Sequence, residues 1–166
     1  MKISTNLSVE EVSKSLTAMR KGIDNTPKGD HLNNLISIAQ NIFQPIRNHF
    51  GAPIFVSSGY RSEALNKAIG GAHKIIKGKY VATSQHCKGE ALDLDNDAVG
   101  KPSNAEIFYF IYDNLDFDQL IWEFGDSKKP DWVHVSYSSD GNNRKSTLVA
   151  ERQGKSIVYS FFEDKR

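Results

Sequence analysis

The sequence predicts an α+β fold in which N-terminal helices pack on a central antiparallel sheet. Three observations predict it. Apolar residues recur at helical spacing through the first part of the chain, up to Phe50. Short strand-like runs dominate after that point. No strand–helix–strand alternation of the kind that builds a parallel sheet is present. One domain over residues 1–166 is expected, because a chain of 166 residues can bury a core without disulfide staples.

The elements follow in order. Ser8 and Glu11 have the spacing of a capping box, and Val12, Leu16 and Met19 then form one apolar face that ends at Gly22. A loop, Asp24 to Gly29, leads to a longer helix with Leu32, Leu35, Ile36, Ala39, Ile42, Phe43, Ile46 and Phe50 on its apolar stripe. Pro45 predicts a kink in it, and Gly51 closes it. Pro53 to Ser58 reads as a strand, and Glu63 to Ile69 as a helix capped by Ser62. Lys74 to Ala82 reads as a hairpin turning at Lys77-Gly78. Ala91 to Asp95 alternates apolar and acidic residues, which fits a strand with its acids on one face. A helix from about Ala105 to Asn114 follows the loop Gly100 to Ser103. Strands are then expected at Gln119–Glu123, Trp132–Tyr137, Ser146–Glu151 and Ser156–Phe162, the last two flanking a Gln153-Gly154 turn.

Composition excludes several function classes. The formal net charge is +1, from 21 basic and 20 acidic residues, so no global field draws the chain to nucleic acid or anionic lipid. Cys87 is the one cysteine, which rules out an internal disulfide and fits a reducing compartment. Met1 to Asn6 lacks the apolar core of a signal peptide, and no run approaches the length of a membrane span. The expectation is a monomer made in the cytoplasm, without nucleic-acid or membrane partners, that reaches any outside substrate by a separate route.

Two stretches concentrate metal-binding chemistry: Ser84-Gln85-His86-Cys87-Lys88-Gly89-Glu90-Ala91-Leu92-Asp93 and Asp131-Trp132-Val133-His134-Val135-Ser136. Zinc prefers imidazole nitrogen and carboxylate oxygen, and a catalytic site keeps one position for water. His86, Asp93 and His134 supply such a set, with Gly89 letting the chain turn between the first two. Taken alone, the same residues also fit a surface histidine, a solvated acid and a core histidine between two valines. Cys87 adjoins His86 but would point away from it, as a small buried thiol.

These stretches resemble the zinc D-Ala-D-Ala carboxypeptidase family (peptidase family M15), which includes peptidoglycan endolysin peptidases. The resemblance rests on Ser57-Ser58-Gly59-Tyr60-Arg61-Ser62, Asn66, Ile69-Gly70-Gly71-Ala72 and the spacing from Ser84 through His86 to Asp93. It continues through Asp118-Gln119-Leu120-Ile121-Trp122-Glu123 and Trp132-Val133-His134-Val135-Ser136, and covers about residues 5 to 138. It implies a fold shared with the hedgehog N-terminal domain and a zinc ion held by His86, Asp93 and His134. It also implies that Arg61 binds and polarises the substrate carbonyl, and that the carboxylate three residues before the last ligand, Asp131, is the general base. Some relatives carry Glu at that position; Asp is one methylene shorter, so the strand must bring it closer. Glu123 is the competing base. Ser84 and Tyr60 are further candidates for substrate contact.

The reaction implied is hydrolysis of a D-Ala-containing bond in a peptidoglycan stem peptide, at its terminus or in a cross-link. Zinc lowers the pKa of a bound water, Asp131 accepts the proton, and Arg61 stabilises the tetrahedral oxygen. The rival expectation is a non-catalytic cell-wall-binding or phage structural module that keeps the fold.

Overall fold

The computed structural model describes residues 1–166. Strands β1 (Lys2–Ser4) and β2 (Leu7–Ser8) form a small antiparallel ribbon ahead of helix α1 (Val9–Ser13). The Ser8–Glu11 capping box closes as expected. The single helix expected here is two, because the Ser15 hydroxyl accepts the Ala18 N–H and starts α2 (Leu16–Lys21) in a new phase. That reset leaves Leu16 and Met19 exposed, and Val12 and Ala18 are buried in this segment. Gly22 ends it in the left-handed conformation.

Helix α3 (Asp30–Ile38) runs through a π turn (Ala39–Phe43) into α4 (Gln44–Phe50). Pro45 has no N–H for the carbonyl four residues back, and the wide turn lies just ahead of it. Beyond these lie β3 (Val56–Ser58), α5 (Glu63–Ala68, capped by Ser62), and the hairpin of β4 (His73–Ile76) and β5 (Lys79–Ala82). Lys77 and Gly78 both take positive φ at its turn. A one-turn 3-10 helix (Gln85–Lys88), β6 (Ala91–Leu94), α6 (Asn104–Asn114), β7 (Gln119–Glu123), β8 (Trp132–Ser136), β9 (Ser146–Gln153) and β10 (Ser156–Phe161) complete the chain.

Six strands form one sheet in the order β10-β9-β7-β8-β6-β3. All neighbours are antiparallel except β7 and β9. The α+β class holds, but the sheet is mixed rather than purely antiparallel. A chain that turns back after β8 runs antiparallel to β8. β6 already occupies the other edge of β8, so β9 lands on the free edge of β7 and lies parallel to it.

One face of the sheet presents Leu92, Leu94, Leu120, Trp122, Val133 and Val135 to the helices, where they join Leu35, Ile38, Ile42, Phe43, Ile46, Ile107, Phe108 and Ile111 in the core. Side chains alternate along a strand. The residues between these therefore stand on the opposite face, and Asp93 of β6, Glu123 of β7 and His134 of β8 are among them.

Candidate metal centre

Asp93 on β6 and His134 on β8 are direct cross-strand partners, so both side chains stand on the face away from the core. His86 arrives from the 3-10 turn just before β6. Gly89 ends that turn at φ 74, where a Cβ would lie 2.3 Å from the His31 carbonyl oxygen. The 57–61 segment holds His86 from above. The Gly59 carbonyl accepts from His86 Nδ1 at 2.6 Å, and the Arg61 N–H donates to the His86 carbonyl at 3.2 Å.

That first bond assigns the tautomer. A carbonyl only accepts, so Nδ1 carries the proton and Nε2 turns its lone pair toward Asp93. Burial pushes the His86 imidazole down, against the pull of the Asp93 carboxylate, which also favours the neutral ring a metal needs. Asp93 Oδ1 lies 3.3 Å from His86 Nε2 and 2.9 Å from His134 Nδ1. Burial alone would raise the Asp93 carboxyl; in the absence of metal, charge and hydrogen bonds from the two imidazoles when protonated outweigh this and hold it well below the usual carboxylate range.

A cation fits this set. Ligand bonds of about 2.0–2.1 Å in a tetrahedron put neighbouring donor atoms roughly 3.4 Å apart. The two donor separations given above lie close to that, and the ligand atoms of all three residues fall within 4.8 Å of one another. His86 also has the backing bond on its far nitrogen that ligating histidines use to fix their orientation. Arg61 donates to the other Asp93 oxygen at 3.1 Å and to the Ser58 hydroxyl through two nitrogens. It therefore touches the site through a ligand.

The remaining sequence candidates are placed as follows. Ser84 precedes the turn that carries His86, half-buried and with its hydroxyl unpartnered. Glu123 on β7 is buried on the same face as His134, because Ile121 pairs with His134 and Glu123 with Trp132. Burial pushes its carboxyl up to about 7, with the Asp93 charge adding to the rise and His134 and Arg152 opposing it. Asp131 is exposed at the rim where β8 begins. Its N–H donates to the Glu123 carbonyl at 2.9 Å and its own carbonyl accepts from Asn104. It lines a groove of about 1240 Å³ along that rim with Trp122, Phe124 and Arg152, and none of the three ligand residues lines this groove. Tyr60 lies away from the ligand face. It is a buried core residue whose hydroxyl bonds His31 Nδ1 at 3.1 Å and whose N–H bonds the Val12 carbonyl. Cys87 is buried, as expected.

Residue types alone did not point to Ser58, the Gly59 carbonyl or Gln85. Gln85 donates to Asp118 at 2.9 Å and so ties the His86 turn to the start of β7. A backbone carbonyl leaves no mark in a sequence. The only signal was the Ser-Ser-Gly-Tyr-Arg run itself.

A largely buried His/Asp/His cluster on the open face of an α+β sheet has the donor set to hold a metal ion. The chain matches the family model for Peptidase M15 over residues 5–136, and it belongs to that family of metal-dependent peptidases. No curated protein matches the chain. No helix is long and apolar enough to cross a membrane.

Proposed function

We propose that this chain is a zinc peptidase that hydrolyses a D-Ala-containing bond in peptidoglycan stem peptides, as a carboxypeptidase or a cross-link endopeptidase. The observation that carries the reading is the convergence of His86 Nε2, Asp93 Oδ1 and His134 Nδ1 on one point. Zinc, when bound there, supplies Lewis acidity toward a carbonyl and a more acidic water. Arg61 keeps Asp93 oriented and presents a permanent positive charge beside the reacting carbonyl, where negative charge develops. Asp131, at the family's position three residues before the last ligand, takes the proton from water and returns it to the leaving amine. Ser84, two residues before His86, offers a free hydroxyl for substrate contact. The balanced charge of the chain supports a peptide substrate over a polyanion, and the enzyme acts as a monomer without nucleic-acid or membrane partners.

One observation favours a second assignment of the base. Glu123 shares the ligands' face and has a carboxyl shifted to about 7, close to an ideal value for proton transfer at neutral pH. Incubation of the zinc-loaded protein with muropeptides, followed by mass spectrometry, tests both points. Loss of D-Ala or scission of a cross-link is expected. Full zinc occupancy with no cleavage sinks the peptidase and leaves the wall-binding or phage structural module. His86→Ala should lose metal and activity together. Asp131→Asn should lose activity, by at least about 100-fold, and keep its metal. If Glu123→Gln does so and Asp131→Asn does not, Glu123 is the base.

A further inference from the structure

The ligand face of the sheet does not end at β7. Cross-strand partners share a face, so one row runs Tyr159, Ala150, Glu123, Trp132 across β10, β9, β7 and β8. The next row runs Phe161, Leu148, Ile121, His134, Asp93 across five strands. Arg152 follows Ala150 at the strand period and stands on this face at the rim. Its guanidinium lies 4.3 Å from the centre of the Phe124 ring, and that ring packs edge-on against Trp132 at 5.1 Å. This stack holds the cation in place, yet the Arg152 guanidinium forms no ion pair or hydrogen bond with the protein. Its planar fork of donors matches a carboxylate. Tyr159 is half exposed beside it, across a residue with only a methyl side chain. Burial and the charges of Glu123 and Asp93 push its hydroxyl up, so it stays a donor at neutral pH.

We propose that Arg152 and Tyr159 form a subsite for a carboxylate on the peptide substrate, about three residues from the bond that is cut. The distance follows from the lattice of the sheet. At about 4.8 Å per strand and about 3.4 Å per residue, the Arg152 Cα lies roughly 17 Å from that of His134. The reach of the Arg152 side chain leaves a gap that about three extended residues span. Both residues lie outside the matched segment 5–136, on the β9–β10 hairpin.

The inference rests on the peptidase reading and is tested with two synthetic peptides. They share the scissile D-Ala bond and differ only in a carboxylate or a carboxamide three residues away. The native zinc protein should show a KM about tenfold lower for the carboxylate peptide. Arg152→Gln should raise that KM until the two peptides are equal. Arg152→Lys should recover part of the difference, because it keeps charge but loses the fork. Tyr159→Phe should lose a smaller part. Turnover of the carboxamide peptide by the same preparation controls for folding. Equal KM values in the native protein, or a difference that persists in Arg152→Gln, overturn the subsite and leave the peptidase standing. No turnover of either peptide overturns both.

Discussion

Arg61 sets the behaviour of the site at the scale of single residues. It binds the Asp93 oxygen that faces away from the imidazoles, so it fixes which oxygen is left for a cation. Its side chain is largely buried, so removing it leaves the Asp93 carboxylate free to rotate. Arg61→Ala is expected to weaken metal binding by about 10- to 100-fold, the usual cost of losing a group that orients a ligand. Titration with a competing chelator reads it directly, without turnover. If metal affinity is unchanged and only activity falls, Arg61 acts on the substrate alone and its grip on Asp93 is incidental. The His86, Asp93 and His134 cluster was legible in the sequence, since His and Asp with nearby glycine carry metal-binding chemistry in their side chains. Tyr60 faces the core although its neighbour Arg61 reaches the site. Between them the backbone turns, sending one side chain to the core and the next to the ligand face.

At the scale of elements, the short turn before β6 decides whether His86 and Asp93 meet. Its last residue, Gly89, combines positive φ with a backbone contact that leaves no room for a Cβ. Gly89→Ala is expected to cost about 2–3 kcal/mol and to lower metal affinity, because relief of the clash moves His86. Chemical denaturation of the metal-free protein checks the first effect, and a near-native midpoint would sink it. The same turn is tied to β7 by Gln85 and Asp118, and Arg144 grips that carboxylate with two nitrogens at 2.6 Å each. Those bonds lower the Asp118 carboxyl to about 2, Arg144 contributing most. A carboxyl depressed in the folded state stabilises the fold above its unfolded value, near 3.8, and loses that contribution as pH falls through about 2. Arg144 is 63% exposed, so screening leaves about 1 kcal/mol. Asp118→Asn should be less stable than the native chain at pH 6, and the gap should close toward pH 2 in parallel denaturation curves. Sequence patterns placed most elements within a residue or two. They did not see the break at Ser15 or the π turn, because both depend on hydrogen-bond partners chosen within a periodic apolar stripe.

On the scale of the whole molecule, the family match ends at residue 136 but the sheet does not. Four of six strands lie within the match, and β9 and β10 extend the sheet from β7. The mixed topology was invisible to periodicity, which reports which face a residue takes and not which strand lies beside it. The two added strands are unequal in what they bury. β9 covers the edge of β7, whose Leu120, Ile121 and Trp122 are buried, and contributes the fully buried Ala150. Every residue of β10 is exposed; beyond it Phe162 packs inward against Phe108 and Trp122, and the exposed Arg166 pairs with Asp113 and lies over the Tyr109 ring. Removing residues 155–166 should therefore leave a folded, metal-binding protein, weakened by about 1–2 kcal/mol for the lost Phe162 contacts. Removing residues 139–166 strips β7 to a bare ladder edge with an apolar flank, which is a template for association between chains. Size-exclusion chromatography with far-ultraviolet circular dichroism separates the outcomes: a folded monomer for the shorter deletion, aggregate for the longer. A folded monomer ending at residue 138 would mean that β9 is an accessory to the sheet, and that the family segment closes its own edge.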